Sequence, residues 1–137
     1  MATEILVNDG GAPARIMNLA VANADLTAGL VVDINASGKI IAAADDQTGG
    51  TSKAQAVALG VLLVDATDGD PTSIVTGKGI VCNVQSVAGL TVGEELVVDN
   101  AGKLEHSANL ETDRIFAIAL DSTFSADSLN YTKVLII

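Results

Sequence analysis

A chain of 137 residues and 13.8 kDa has the length of one ordinary domain, enough to bury about two thirds of the surface its unfolded form exposes. Two Phe, one Tyr and no Trp leave a core of aliphatic and small side chains, and abundant Val, Ile and Thr favour strands. Seven basic against 17 acidic residues, a formal charge of -10, repel a phosphate backbone and argue against nucleic-acid binding, while 49% hydrophobic content argues against disorder.

In chain order, Thr3-Glu4-Ile5-Leu6-Val7 has strand character and is followed by the flexible run Asn8-Asp9-Gly10-Gly11. This predicts an N-terminal arm over 1–11 preceding a single β domain over 12–137. Thr3, Glu4, Ile5, Leu6 and Val7 are the candidate contact residues, adding as a strand to a neighbouring molecule. The start carries no basic leader followed by a long apolar core, so no secretory signal is expected. The longest apolar stretch, Ala54 to Val64, is interrupted by Gln55 and Gly60 and falls short of the ~20 residues a membrane helix needs.

An internal repeat follows, with units near 26–66 and 90–122. Leu26-Thr27-Ala28-Gly29-Leu30-Val31-Val32-Asp33, a turn, and Gly38-Lys39-Ile40 match Leu90-Thr91-Val92-Gly93-Glu94-Glu95-Leu96-Val97-Val98-Asp99, a shorter turn, and Gly102-Lys103-Leu104. In each, Thr-x-Gly bends the chain, the β-branched run supplies a strand, and Asp with small residues closes a hairpin. Each hairpin is followed by an apolar strand ending in Asp and a small residue, Val61 to Ala66 and Ala117 to Ser122. Between them, Asp45 to Ser52 reads as a solvated loop in which Ser52 caps a short helical turn over Lys53 to Ala56. Asp65 to Ser73 is a turn, Ile74 to Thr76 and Gly79 to Val84 are extended, and Tyr131 to Ile137 is a closing strand. About eight to ten short strands with regular turn signals predict an all-β domain, a small antiparallel barrel or sandwich with pseudo-duplicated hairpins and little helix.

Chemistry-bearing patterns are sparse. His106 is the sole histidine and stands between Glu105 and Ser107 in a polar stretch, so neither a metal pair nor a catalytic triad can be assembled around it. Cys82 lies in the apolar run Gly79-Ile80-Val81-Cys82 and reads as an inert core thiol. The Gly-Lys pairs at 38–39, 77–78 and 102–103 lack the remainder of a phosphate-binding loop and read as hairpin ends. Asp65, Asp68 and Asp70 around Gly69 offer hard oxygens, but Pro71 and the missing terminal Glu favour a plain turn over a calcium loop. Glu94-Glu95 and Asp45-Asp46 are adjacent and, on a strand, would point to opposite faces. The sequence therefore assigns no catalytic residue, metal or cofactor, and no enzyme activity.

The succession Val61-Leu62-Leu63-Val64-Asp65-Ala66-Thr67-Asp68-Gly69-Asp70-Pro71, Val75-Thr76-Gly77-Lys78-Gly79-Ile80-Val81, Leu90 to Asp99 with Gly102-Lys103-Leu104, and Ile115-Phe116-Ala117-Ile118-Ala119-Leu120-Asp121 resembles the capsid decoration, or cement, proteins of tailed bacteriophages. The resemblance covers residues 55 to 137 best. It implies a non-enzymatic protein made in the host cytoplasm that binds the major capsid protein on the outer surface of the mature head. It further implies attachment at local threefold positions as a homotrimer, stabilisation of the shell, and no nucleic-acid or membrane partner. The Thr3 to Val7 segment would then contact the capsid or a neighbouring copy. The alternative reading is a soluble β-barrel module that binds a ligand or carbohydrate, for which Phe116, Phe124 and Tyr131 supply little stacking surface.

Overall fold

The computed structural model describes residues 4–8, 15–18, 20–43, 59–99, 101–107, 115–126 and 128–137. Twelve short strands make up the regular structure of these residues: β1 (Leu6–Asn8), β2 (Arg15–Met17), β3 (Val31–Ile34), β4 (Ile40–Ala42), β5 (Gly60–Leu62), β6 (Ile74–Thr76), β7 (Val81–Gln85), β8 (Glu95–Val98), β9 (Leu104–His106), β10 (Ala117–Ala119), β11 (Phe124–Ala126) and β12 (Leu129–Ile136). They form two antiparallel sheets, one in the order β1-β7-β12-β10-β8-β9 with β11 paired to β12, the other in the order β2-β6-β5-β3-β4. The domain is therefore all-β and sandwich-like, and of the two architectures open to the sequence the closed barrel is set aside. The short helix expected over Lys53 to Ala56 lies outside the described residues.

Strand alternation gives the smaller sheet two buried faces. Val31, Val61 and Val75 point into the main core with Leu96, Val98, Leu104, Ala117, Val134 and Tyr131 of the larger sheet. Their neighbours Val32, Leu62 and Ile74 point the other way, into a second cluster closed by Ala22, Leu26, Leu30 and Ala66. With few aromatics to fill volume, two thin aliphatic layers replace one thick core.

The backbone hydrogen bonds relate the two halves in a register that differs from the one the letters give. Matching Leu-Val-Val-Asp in both copies sets Asp33 opposite Asp99 with a gap elsewhere. The hydrogen bonds instead align Thr27, Gly29, Asn35, Gly38, Lys39 and Ile40 with Thr91, Gly93, Asp99, Gly102, Lys103 and Leu104 without a gap. The N–H of Gly29 donates to Leu62 and that of Gly93 to Ala119, both at 2.8 Å. At the other end Asn35 Oδ1 accepts the N–H groups of Ser37 and Lys39, as Asp99 Oδ1 accepts those of Ala101 and Lys103. A side-chain oxygen that holds the turn two and four residues ahead fixes where the hairpin ends, so Asn35 and not Asp33 closes the first copy.

This register runs through both sheets. Val32 pairs with Gly60 as Leu96 pairs with Ala117; Leu62 pairs with Ile74 as Ala119 pairs with Val134; Ile74 pairs with Met17 as Val134 pairs with Cys82. Strands β2, β6, β5, β3 and β4 thus correspond to β7, β12, β10, β8 and β9. Strand β11 belongs to a longer hairpin standing where the first half makes the tight turn Thr67 to Asp70. Strand β1 has no counterpart among the described residues.

Candidate functional site

Several of the chemical candidates from the sequence are engaged in holding turns, while Asp45 and Asp46 lie outside the described residues. Asp65 Oδ1 accepts the Ala28 N–H at 2.7 Å, Asp25 Oδ1 accepts that of Asp68 at 2.9 Å, and Asp70 Oδ2 accepts both the N–H and the hydroxyl of Thr67. The carboxylates of Asp65 and Asp70 therefore serve donors of neighbouring turns while Asp68 is held through its own N–H, and the described residues contain no cluster of three metal-binding groups. Glu94 Oε2 accepts the Thr91 N–H at 2.9 Å while Oε1 lies 2.9 Å from Nδ1 of His106. The Thr91 N–H, and after it the His106 ring, hold the Glu94 carboxyl below its usual range. Glu95 is the next residue but lies exposed at the start of β8, so the two carboxylates are not a working pair.

The aromatic residues are packing elements. Tyr131 is buried and stacks on Phe124 with ring centroids 6.1 Å apart. Tyr131 also lies against Gly29, and beside it the buried Gln85 donates from Nε2 to Thr27 Oγ1 and to the Ala28 carbonyl at 2.9 Å. Gln85 and Tyr131 belong to the second half and Thr27 to Gly29 to the first, so this polar contact ties the two halves together. Sequence reading missed Gln85; its only signal is an amide ending the apolar run from Val81.

Cys82 is fully buried, and burial pushes its thiol up to about 11. Because the thiolate is the reactive form, a maleimide or disulfide reagent is expected to leave the folded protein unlabelled at pH 8. Labelling should become quantitative in denaturant. Rapid labelling of native protein would place Cys82 at the surface.

The contact candidates near the N-terminus divide. Thr3 lies outside the described residues. The described part of the segment 1–11 lies as an edge strand on the larger sheet: Ile5 is buried, its carbonyl accepts the Asn83 N–H at 2.8 Å, and Leu6 pairs with Cys82. The Glu4 carbonyl accepts from Asn83 Nδ2 at 2.7 Å. An apolar Ile5 anchored by an asparagine on the neighbouring strand holds this segment to its own sheet. Glu4 is exposed and Val7 is 42% exposed, so both remain available to a partner. At the end of the smaller sheet β2 presents Arg15 and Ile16 to solvent, Ile16 at 54% exposure. This second edge could not be read from the sequence, since the three-residue strand Arg15–Met17 is too short a run to alternate visibly.

The surface thus offers short strand edges and turns rather than a chemical centre, and the fold is the informative comparison. No protein-family model and no curated protein matches the sequence. The chain folds like the base of a bacteriophage head fibre. The solved structure is that of the head fiber gp8.5 N base in bacteriophage phi29, matched with a TM-score of 0.66 at 16% identity over 91% of this chain and 95% of that one. Near-complete coverage of both chains makes the phi29 base and this domain similar in their whole architecture, both halves included, rather than in one shared hairpin.

Proposed function

We propose that this protein is a non-enzymatic structural component of a bacteriophage head, attached to the outer surface of the mature shell at local threefold positions as a homotrimer and stabilising it. The observation that carries this reading is the likeness of the entire fold to the phi29 head fibre base, which agrees with the resemblance of residues 55 to 137 to head decoration proteins. The chemistry is in keeping with it. Carboxylates, Gln85 and the aromatic residues act within the fold, and a net charge of -10 repels packaged DNA and keeps a decorated particle soluble. Tyr131, which a carbohydrate-binding module would need at its surface, is buried against Gly29.

A protein that binds a site spanning several capsid subunits recognises the assembled shell and not the free subunit. By mass action, binding one state alone stabilises it by about 2.7 kcal/mol per site at a hundredfold excess over Kd. Heads stripped of the protein are expected to release DNA at a lower temperature than decorated heads, and adding the purified chain back should restore the higher one. Equal release temperatures at full occupancy would remove the stabilising role. Equal affinity for unassembled subunits would remove the shell-spanning site.

A further inference from the structure

We infer that copies of this chain join head to tail by strand pairing, the free edge of β1 in one copy adding to the free edge of β2 in the next. The inference comes from the duplication and does not depend on the head role. Every strand of the smaller sheet has its counterpart in the larger one, and the position outside β7, filled by β1, corresponds to a position outside β2 where no described strand lies. Among the described residues, one outer strand serves a fold with two places for it. On β7 that place is filled through Asn83, whose N–H reaches the Ile5 carbonyl. In the shared register Asn83 corresponds to Asn18 and Val81 to Ile16. Alternate residues of a strand direct their N–H groups the same way, so those of Ile16 and Asn18 point outward from the sheet.

The occupant follows from what the two edges carry. Among the described residues β1 is itself the outermost strand of the larger sheet, hydrogen-bonded to β7 on one side only. Each edge displays one large apolar side chain, Val7 beside Ile16, and natural sheets protect such edges when they are meant to stay single. The charges are opposite, Glu4 next to β1 and Arg15 on β2, which favours this pairing over β2 with β2 or β1 with β1. Because the two edges differ, each copy uses both once, so the contact runs head to tail, closing into a ring where its rotation allows, instead of stopping at a twofold dimer.

The test uses the full chain. Val7→Cys and Ile16→Cys variants, mixed and mildly oxidised, are expected to give a mixed disulfide, with Cys82 inert in its core. Ile16→Pro removes an outward donor while sparing the bonds to β6, a change edge strands tolerate, and should convert the oligomer seen by light scattering to monomer. Ile16→Lys supplies the same test with an unaltered backbone. A wild-type chain that stays monomeric at its highest soluble concentration would overturn the inference. So would an Ile16→Cys chain that cross-links to itself alone, or an oligomer that survives both Ile16 substitutions.

Discussion

Gly29→Ala is expected to cost about 3 kcal/mol, and its counterpart Gly93→Ala about 1 kcal/mol, which at this size lowers Tm by roughly 9 °C and 3 °C respectively. Both glycines bend the chain into the following strand with a positive φ, 93° and 89°. A side chain at either position therefore carries the same left-handed backbone strain. Their surroundings differ. A Cβ on Gly93 meets nothing within 4 Å, whereas one on Gly29 would stand 2.7 Å from the Tyr131 ring and 3.3 Å from the Gln85 side chain. Tyr131 is buried and held by its stack with Phe124, so it cannot swing aside without opening the core. The difference between the two variants measures the joint between the halves with backbone strain subtracted. Equal losses, read by thermal melting, would show that Tyr131 and Gln85 do not hold the Thr27 to Gly29 turn.

Asp33→Asn should stabilise the protein at pH 7 by about 1–2 kcal/mol, with the advantage vanishing in acid. Asp33 is buried on the face that Val31 turns to the main core; its Oδ1 accepts the Ile34 N–H at 2.7 Å while Oδ2 has no partner among the described residues. Burial raises its carboxyl above the ordinary 3.8, and the Ile34 N–H opposes the shift only in part. A raised carboxyl means that the fold disfavours the ionised form. The cost is present in full above the raised value and disappears as the pH falls through it toward the unfolded value. Asparagine keeps the acceptor for Ile34 and removes the charge. Denaturant unfolding of the two proteins should give curves that separate at neutral pH and converge near pH 4. A variant less stable than the parent at pH 7 would mean that the Asp33 carboxylate has a favourable partner.

These two residues also mark how far the sequence could be read. The strand-rich composition, the turn signals and the recurring Thr-x-Gly and Gly-Lys corners made the all-β class and the duplication legible, because each is a local backbone requirement. Gly29 and Gly93 were found for that reason. The register was not, since Leu-Val-Val-Asp recurs in letters while hydrogen bonds obey geometry: a spurious two-residue gap hid Asn35 as the partner of Asp99 and left Asp33 reading as a turn residue. The Asp65, Asp68 and Asp70 cluster was legible as turn chemistry from Gly69 and Pro71. Buried Gln85 and the bare edge of β2 were not, because both depend on which strands lie beside them. Likewise the sequence shows Gly10-Gly11 after the Thr3 to Val7 run but not the Asn83 that binds the carbonyls of Glu4 and Ile5.

A cryo-EM reconstruction of the particle with which the chain copurifies tests the proposed role most directly. Density for this domain is expected to repeat over the exterior of an expanded head, three copies around each local threefold position. Heads that lack such density while the chain stays in the soluble fraction, or density confined to the tail or the DNA-filled interior, would contradict it.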